Sequence, residues 1–220
     1  MTEIEAIRAR HAVRNYTAKP LSPEIIDELS EEIEQCNRQG QLHIQLVTEN
    51  EEAFKTFIPL FGRFKNVKNY IALAAKKQGD FYVKCGYCGA RLMVKAQQAG
   101  LNSCWVTNTY NAKKCPVTLA PDEELVGVIA IGYGTTDGTQ HKSKSMERLC
   151  KPCSDKWFLD GMNAAVLAPT GLNRQNFFIE ASGNTVSIRT KDNHPMSQIN
   201  TGIVKYHFEI GAGRENFNWE

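Results

Sequence analysis

Leu125-Val126-Gly127-Val128-Ile129-Ala130-Ile131-Gly132-Tyr133 is the clearest strand in this chain, and reading it as a buried strand decides the fold. Its apolar character is continuous rather than alternating, which fits a sheet covered on both faces. Upstream, residues 102–107 read as an extended segment. Residues 81–99 read as a long helix, apolar at Leu92, Met93 and Ala96 and stopped by Gly100. Residues 70–75 are a short apolar run with strand character despite their alanines. Earlier still, residues 42–47 alternate as a strand, His43 and Gln45 facing away from Ile44 and Leu46. Ser22-Pro23-Glu24 supplies an N-cap, a proline at N1 and an early acidic residue, opening a helix over 23–37 that buries Ile25, Ile26, Leu29 and Ile33. A short helix over 2–10 precedes it, and another starts near Glu51 and carries Phe54, Phe57 and Ile58.

Immediately before the central run, Pro121-Asp122-Glu123-Glu124 marks a turn or a short helix; after it, the polar residues 134–145 form a connector. An amphipathic helix over 155–168 carries Trp157, Phe158, Met162 and Val166. Residues 177–180 and 186–190 flank Ala181-Ser182-Gly183-Asn184 as a hairpin, and a last helix over about 198–210 ends at Gly211-Ala212-Gly213. This mixture implies a central sheet with helices on both faces, either α+β or a three-layer α/β arrangement.

The bulk numbers narrow the function. A chain of 220 residues with 42% hydrophobic and 23% charged residues builds a core and is not disordered. A formal charge of +2 is too small to indicate a nucleic-acid partner, though basic residues can still be gathered around an anion. No apolar run is long enough to span a bilayer, and the charged start lacks the core of a signal peptide, so a cytoplasmic protein without a membrane partner is expected. Seven cysteines with no export signal point to reduced thiols. Two pairs, Cys85-Gly-Tyr-Cys88 and Cys150-Lys-Pro-Cys153, leave three readings open: scattered reduced thiols, a metal site, or thiol–disulfide exchange.

Two polar constellations carry the chemistry. Arg10-His11-Ala12-Val13-Arg14 offers guanidinium forks that suit a phosphate, with His11 as a third polar group. Ala168-Pro169-Thr170-Gly171-Leu172-Asn173-Arg174-Gln175 offers a turn restrained by Pro169 and freed by Gly171, in which Thr170, Asn173 and Gln175 supply uncharged donors and acceptors suited to a sugar-alcohol chain or a flavin edge. No glycine-rich dinucleotide loop or Walker A sequence accompanies them.

These features resemble the FMN-dependent nitroreductase family, in particular its TM nitroreductase-like branch, in which two halves are fused in one chain. The resemblance rests on residues 10–16, on Gly100-Leu101-Asn102-Ser103-Cys104-Trp105, on residues 125–134 and on residues 168–176, in family order over most of the chain. It implies an α+β, three-layer arrangement with a central, mainly antiparallel sheet and two pseudo-symmetric lobes, 1–145 and a truncated 146–220 that completes the flavin site. In ordinary members the Ala-Pro-Ser-like turn reaches the flavin from a second subunit. Here residues 36–42 lack that character and the Trp157 helix lacks paired arginines, so one FMN site per chain is expected, in a monomeric pseudo-dimer or a homodimer.

By the same resemblance Arg10 and Arg14 hold the FMN phosphate beside His11, with Ala12 in the place of a common serine. Pro169, Thr170, Asn173 and Gln175 take the partner turn's role, and Thr107 and Asn108 stand where relatives are glycine-rich, crowding the flavin's reactive nitrogen. Lys144, in preference to Lys142, is a further phosphate contact, and Arg214 approaches the same charge. NADH or NADPH is the transient reductant and an electron-poor small molecule the acceptor. The chemistry is FMN's, so no catalytic side chain and no metal ligand are implied. Trp105, Tyr110 and Phe61 line an aromatic pocket or the core. The rival readings are a non-catalytic flavin- or ligand-binding protein and a cysteine-based metal or redox protein.

Overall fold

The computed structural model describes residues 1–55 and 64–220 and runs α1 (Glu3–Ala9), α2 (Pro23–Gly40), β1 (Gln45–Val47), β2 (Asn69–Lys76), α3 (Phe81–Gln98), β3 (Asn102–Val106), β4 (Glu123–Gly132), α4 (Lys156–Ala165), β5 (Phe177–Ser182), β6 (Thr185–Thr190), α5 (Pro195–Ala212) and β7 (Asn218–Trp219). The fold is α+β, with the expected antiparallel sheet at its centre: β1–β4 form four strands in which every neighbouring pair is antiparallel, and β5–β7 form a second, smaller sheet. Two compact units divide the chain, each discontinuous. The first comprises Ala9–Phe81 and Leu92–Gln140; the second comprises Met1–Arg8, Tyr82–Arg91 and His141–Glu220.

In the first unit the strand order is β1-β2-β4-β3, so the continuous apolar run of β4 lies inside the sheet. Val128, Ile129, Ala130 and Ile131 are buried, as are residues 70–75 of β2, which matches strands covered on both faces. The register slips where Leu73 pairs with Gly127 but Ala74 pairs with Leu125. Gly127 is needed beside this bulge, because a Cβ there would stand 2.9 Å from the Val106 carbonyl of β3. The expected strand over 42–47 shortens to β1, because the Asn37 side chain takes both backbone groups of Ile44, accepting its N–H at 2.7 Å and donating to its carbonyl at 2.9 Å. Ser22 caps α2 as the Ser-Pro-Glu signal requires, its Oγ accepting the Ile25 N–H. The helix expected near Glu51 is a single 3-10 turn over Glu52–Phe54; Phe57, Ile58 and Phe61 lie outside the described residues.

In the second unit α4 and α5 meet where Gly211 leaves no room for a side chain: a Cβ there would lie 2.4 Å from the Asp160 carbonyl. Residues 82–91 of α3 approach α5 as closely, through Gly86 and Gly202. Trp157 stacks on Phe217 at 5.7 Å, and Phe208 meets Phe158, Phe217 and Trp219 edge-on or tilted. The hairpin forms as expected, with Gly183 at φ +58 in its turn. One element had no sequence signal: β7, two residues long, pairs in parallel with β6.

Candidate functional site

Residues 10–16 are held against the central sheet by backbone bonds. Val13 donates its N–H to the Ser103 carbonyl at 3.2 Å, Thr17 to the Tyr133 carbonyl at 2.8 Å, and Thr135 to the Asn15 carbonyl at 3.0 Å. The buried Tyr16 hydroxyl donates to the Val13 carbonyl at 2.7 Å. The turn after β4 closes over the same segment. Gly134 donates its N–H to Asn102 Oδ1 at 2.8 Å, and Gly138, at φ +78, passes so near that a Cβ would lie 2.9 Å from that of His11.

This packing buries Arg10, which is only 4% exposed. Its Nε and Nη1 atoms have no hydrogen-bond partner among the described residues. Burial pushes its guanidinium down to about 10, against the opposing pull of the Cys104 sulfur. Burial also pushes the Cys104 thiol up, while Arg14 and Arg10 both pull it down, so the two guanidiniums bear on one sulfur. Arg14 itself is exposed, His11 is half-buried and Ala12 is exposed, its backbone bridged to Ser103. On β3, Ser103 Oγ and Trp105 Nε1 are buried polar atoms without a partner among the described residues. From the sequence Ser103 has no role and Trp105 only a place in an aromatic pocket or the core, although both lie in the stretch quoted for the family resemblance. Thr107 and Asn108 follow in a bend, Thr107 half-buried and Asn108 exposed. An unpaired guanidinium in such a place costs several kcal/mol unless an anion meets it. Arg10 Nε and Nη1 can only donate, which makes this guanidinium fit a phosphate.

In the second unit the turn after α4 is stitched to residues 142–144. Gln175, 1% exposed, donates from Nε2 to the Val166 carbonyl at 2.9 Å and accepts the Lys144 N–H on Oε1 at 2.6 Å. Its own N–H goes to Thr170 Oγ1 at 3.1 Å. Lys144 Nζ donates to the Arg174 and Gln175 carbonyls, and Asn173 Nδ2 to the Lys142 carbonyl at 2.9 Å. Thr170 is buried and Pro169 half-buried. These bonds hold an improbable backbone: Leu172, Asn173 and Gln175 have φ of 51, 52 and 45. For a residue with a Cβ such a conformation costs roughly 1–2 kcal/mol, yet Leu172 is 86% exposed and gains little burial in return.

Arg214, read from the sequence as approaching the phosphate, is held by Glu209 at 3.0 Å and by the Tyr87 hydroxyl at 3.1 Å. Tyr110 packs against Phe54 at 6.4 Å. Among the described residues no disulfide joins the cysteines, and no group of three or more His, Cys, Asp and Glu side chains is placed to hold a metal ion. No helix among the described residues is long and apolar enough to cross a membrane.

The fold is shared with solved structures described as putative nitroreductases. One from Thermotoga maritima is 21% identical with a TM-score of 0.66, the match covering 98% of this chain and 85% of that one. Another, from Desulfovibrio desulfuricans in complex with FMN, is 17% identical with a TM-score of 0.57 over 70% of this chain and 99% of that one. A third, from Parabacteroides distasonis and described as a putative NADH dehydrogenase/NAD(P)H nitroreductase, is 19% identical with a TM-score of 0.54, covering 67% and 95%. No curated protein sequence matches the chain. The model of the family described as Putative TM nitroreductase matches residues 3–212, nearly the whole length, and the chain belongs to that family.

Proposed function

We propose that this chain is an FMN-dependent oxidoreductase that takes reducing equivalents from NADH or NADPH and passes them to an electron-poor organic acceptor, with one flavin per chain. The observation that carries the proposal is the buried Arg10 guanidinium, whose Nε and Nη1 have no partner among the described residues. A phosphate meets the need of such a group, since its oxygens accept and its charge offsets the guanidinium. When bound, FMN supplies the hydride and electron transfer. The chain's own part is to bind and orient. Arg10 gives a fixed, desolvated fork for the phosphate, and Arg14 adds charge at the exposed side. His11, Ala12, Thr107 and Asn108 are assigned to the same flavin by family likeness. So are Pro169, Thr170 and Asn173, while Gln175 and Lys144 serve by holding that turn in shape.

Anaerobic absorption spectroscopy of the flavin-loaded protein tests this. Bleaching of the oxidised flavin by NADH or NADPH, restored by an aromatic nitro compound or a quinone, is the expected result. Flavin that stays oxidised with both donors would leave a non-catalytic flavin-binding protein, and failure to bind FMN at all would overturn the phosphate assignment.

A further inference from the structure

The second unit holds a cavity of about 530 Å³ whose lining includes Met146, Cys150, Pro152, Cys153 and Leu159. That volume is in the range that accepts a small organic molecule. Both cysteines of the Cys150-Lys-Pro-Cys153 pair therefore border one space, and they are unequal. Cys150 is 5% exposed and fixed: its N–H donates to the Met146 carbonyl at 3.0 Å, its S–H points to the same oxygen at 3.4 Å, and its backbone bridges Ile179. The next residue anchors it again, Lys151 donating its N–H to the Ile179 carbonyl at 3.2 Å and pairing its ammonium with Glu180. Cys153 is half-exposed, in the irregular stretch before α4, with its sulfur 3.7 Å from Asp155 Oδ2.

An accessible outer thiol and a fixed inner thiol on one small cavity divide the labour of a dithiol: one is attacked from solution and the other resolves the product. We propose that Cys153 and Cys150 react as such a pair with a low-molecular-weight disulfide carrying cationic arms. The Cys153 thiol loses its proton to Asp155 or water, and its thiolate attacks one sulfur of the disulfide, forming a mixed disulfide and expelling one small thiolate. The Cys150 thiol gives up its proton to water or to the first expelled thiolate, and its thiolate then attacks the Cys153 sulfur and expels the second, which takes up the proton Cys153 released. Two protein thiols are thus oxidised to one disulfide while the small disulfide is reduced to two thiols, with the protons balanced. The apolar walls accept the methylene groups, and Glu147 on the lining with Asp155 beside Cys153 selects for positive charge. Burial, with the Cys153 and Glu147 charges adding to it, pushes the Cys150 thiol up, so the inner sulfur waits protonated until the mixed disulfide forms.

Mass spectrometry of the full-length protein after exposure to cystamine, with an acid quench and digestion, tests the pair. In the unmodified sequence the peptide spanning both cysteines is expected to lose two hydrogens and retain no adduct, a measurement that needs no variant to fold. Cys150→Ala should instead trap the aminoethylthio adduct on Cys153, and Cys153→Ala should leave Cys150 unmodified. Cystamine should outpace oxidised glutathione, which is anionic, by more than tenfold. Preferential reaction at Cys115 or another cysteine while Cys153 stays reduced, or an adduct that persists on Cys153 beside an intact Cys150, would overturn the dithiol; equal rates for the two disulfides would overturn the charge selection.

Discussion

Replacing Arg10 by methionine separates a residue kept for a ligand from one kept for the fold. Burial pushes the guanidinium down to about 10. With each tenfold in acidity about 1.4 kcal/mol, the charged form carries a penalty of roughly 3 kcal/mol. Methionine has similar reach and flexibility and no charge to desolvate. The ligand-free Arg10→Met protein is therefore expected to be as stable as the parent, or more stable by up to about 3 kcal/mol. Its affinity for FMN should fall, since two charge-assisted hydrogen bonds at about 1.5–3 kcal/mol each correspond to roughly 10²–10⁴-fold. The sign with pH follows: because the folded-state value of this base lies below its unfolded value, the penalty is complete throughout neutral pH and is relieved only as pH rises past about 10. The stability difference between the two proteins should therefore be flat over roughly pH 6–9. Urea unfolding of the ligand-free proteins, with and without inorganic phosphate, measures the first quantity, and quenching of flavin fluorescence the second. A variant that loses about 2 kcal/mol or more without ligand and still binds FMN as the parent does would show Arg10 to be a structural residue.

Gly202→Ala would place a Cβ 2.0 Å from the Val83 carbonyl and 2.6 Å from the Tyr87 nitrogen, both backbone atoms; a loss of at least about 3 kcal/mol in urea unfolding is expected, against about 1 kcal/mol for Gly100→Ala, where φ is +78 but the space is open. Leu172→Asn keeps an exposed site exposed and puts a residue tolerant of positive φ where φ is 51, so a gain of up to about 1 kcal/mol is expected by the same measurement; a loss would mean that Leu172 is held by contacts its exposure does not show. The Glu123 carboxyl is held below its usual range, first by the Ala120 N–H and then by His43, whose Nδ1 lies 2.9 Å away. A lowered folded-state value contributes stability above the ordinary carboxylate range that is lost as pH falls through it, so Glu123→Gln should flatten the acid limb of the stability profile and leave its alkaline limb alone.

The same contrast between local and long-range causes separates what was legible in the chain from what was not. The position of β4, the capped start of α2, the course of α3 and the β5–β6 hairpin follow from signals contained within each segment: continuous apolar character, Ser-Pro-Glu, helical spacing ended by Gly100, and a Gly-Asn turn. Where a side chain competes with the ladder, local pattern misleads. Residues 42–44 alternate as a strand, but Asn37 has already taken the Ile44 backbone. Two residues carry no periodicity, so β7 was invisible.

For the candidate site, the residue types were plain and their conditions were not. Arg10 and Arg14 look alike in the chain, one turn of sequence apart and equally basic. Only the folded contacts of residues 12–13 with Ser103, and of His11 with the Gly138 turn more than 120 residues away, bury the first and leave the second in water. Likewise Gln175, which reads as a ligand group by chemistry, and Lys144, which does so by resemblance, bond across some 30 residues of chain, while Gln175 also reaches Val166, 9 residues before it. Sequence alone therefore determined which functional groups this protein possesses and the segments that carry them, because propensity and periodicity are local. Burial and hydrogen-bond satisfaction are sums over neighbours that only the folded chain brings together, and these decided which of the groups is left with an unmet charge.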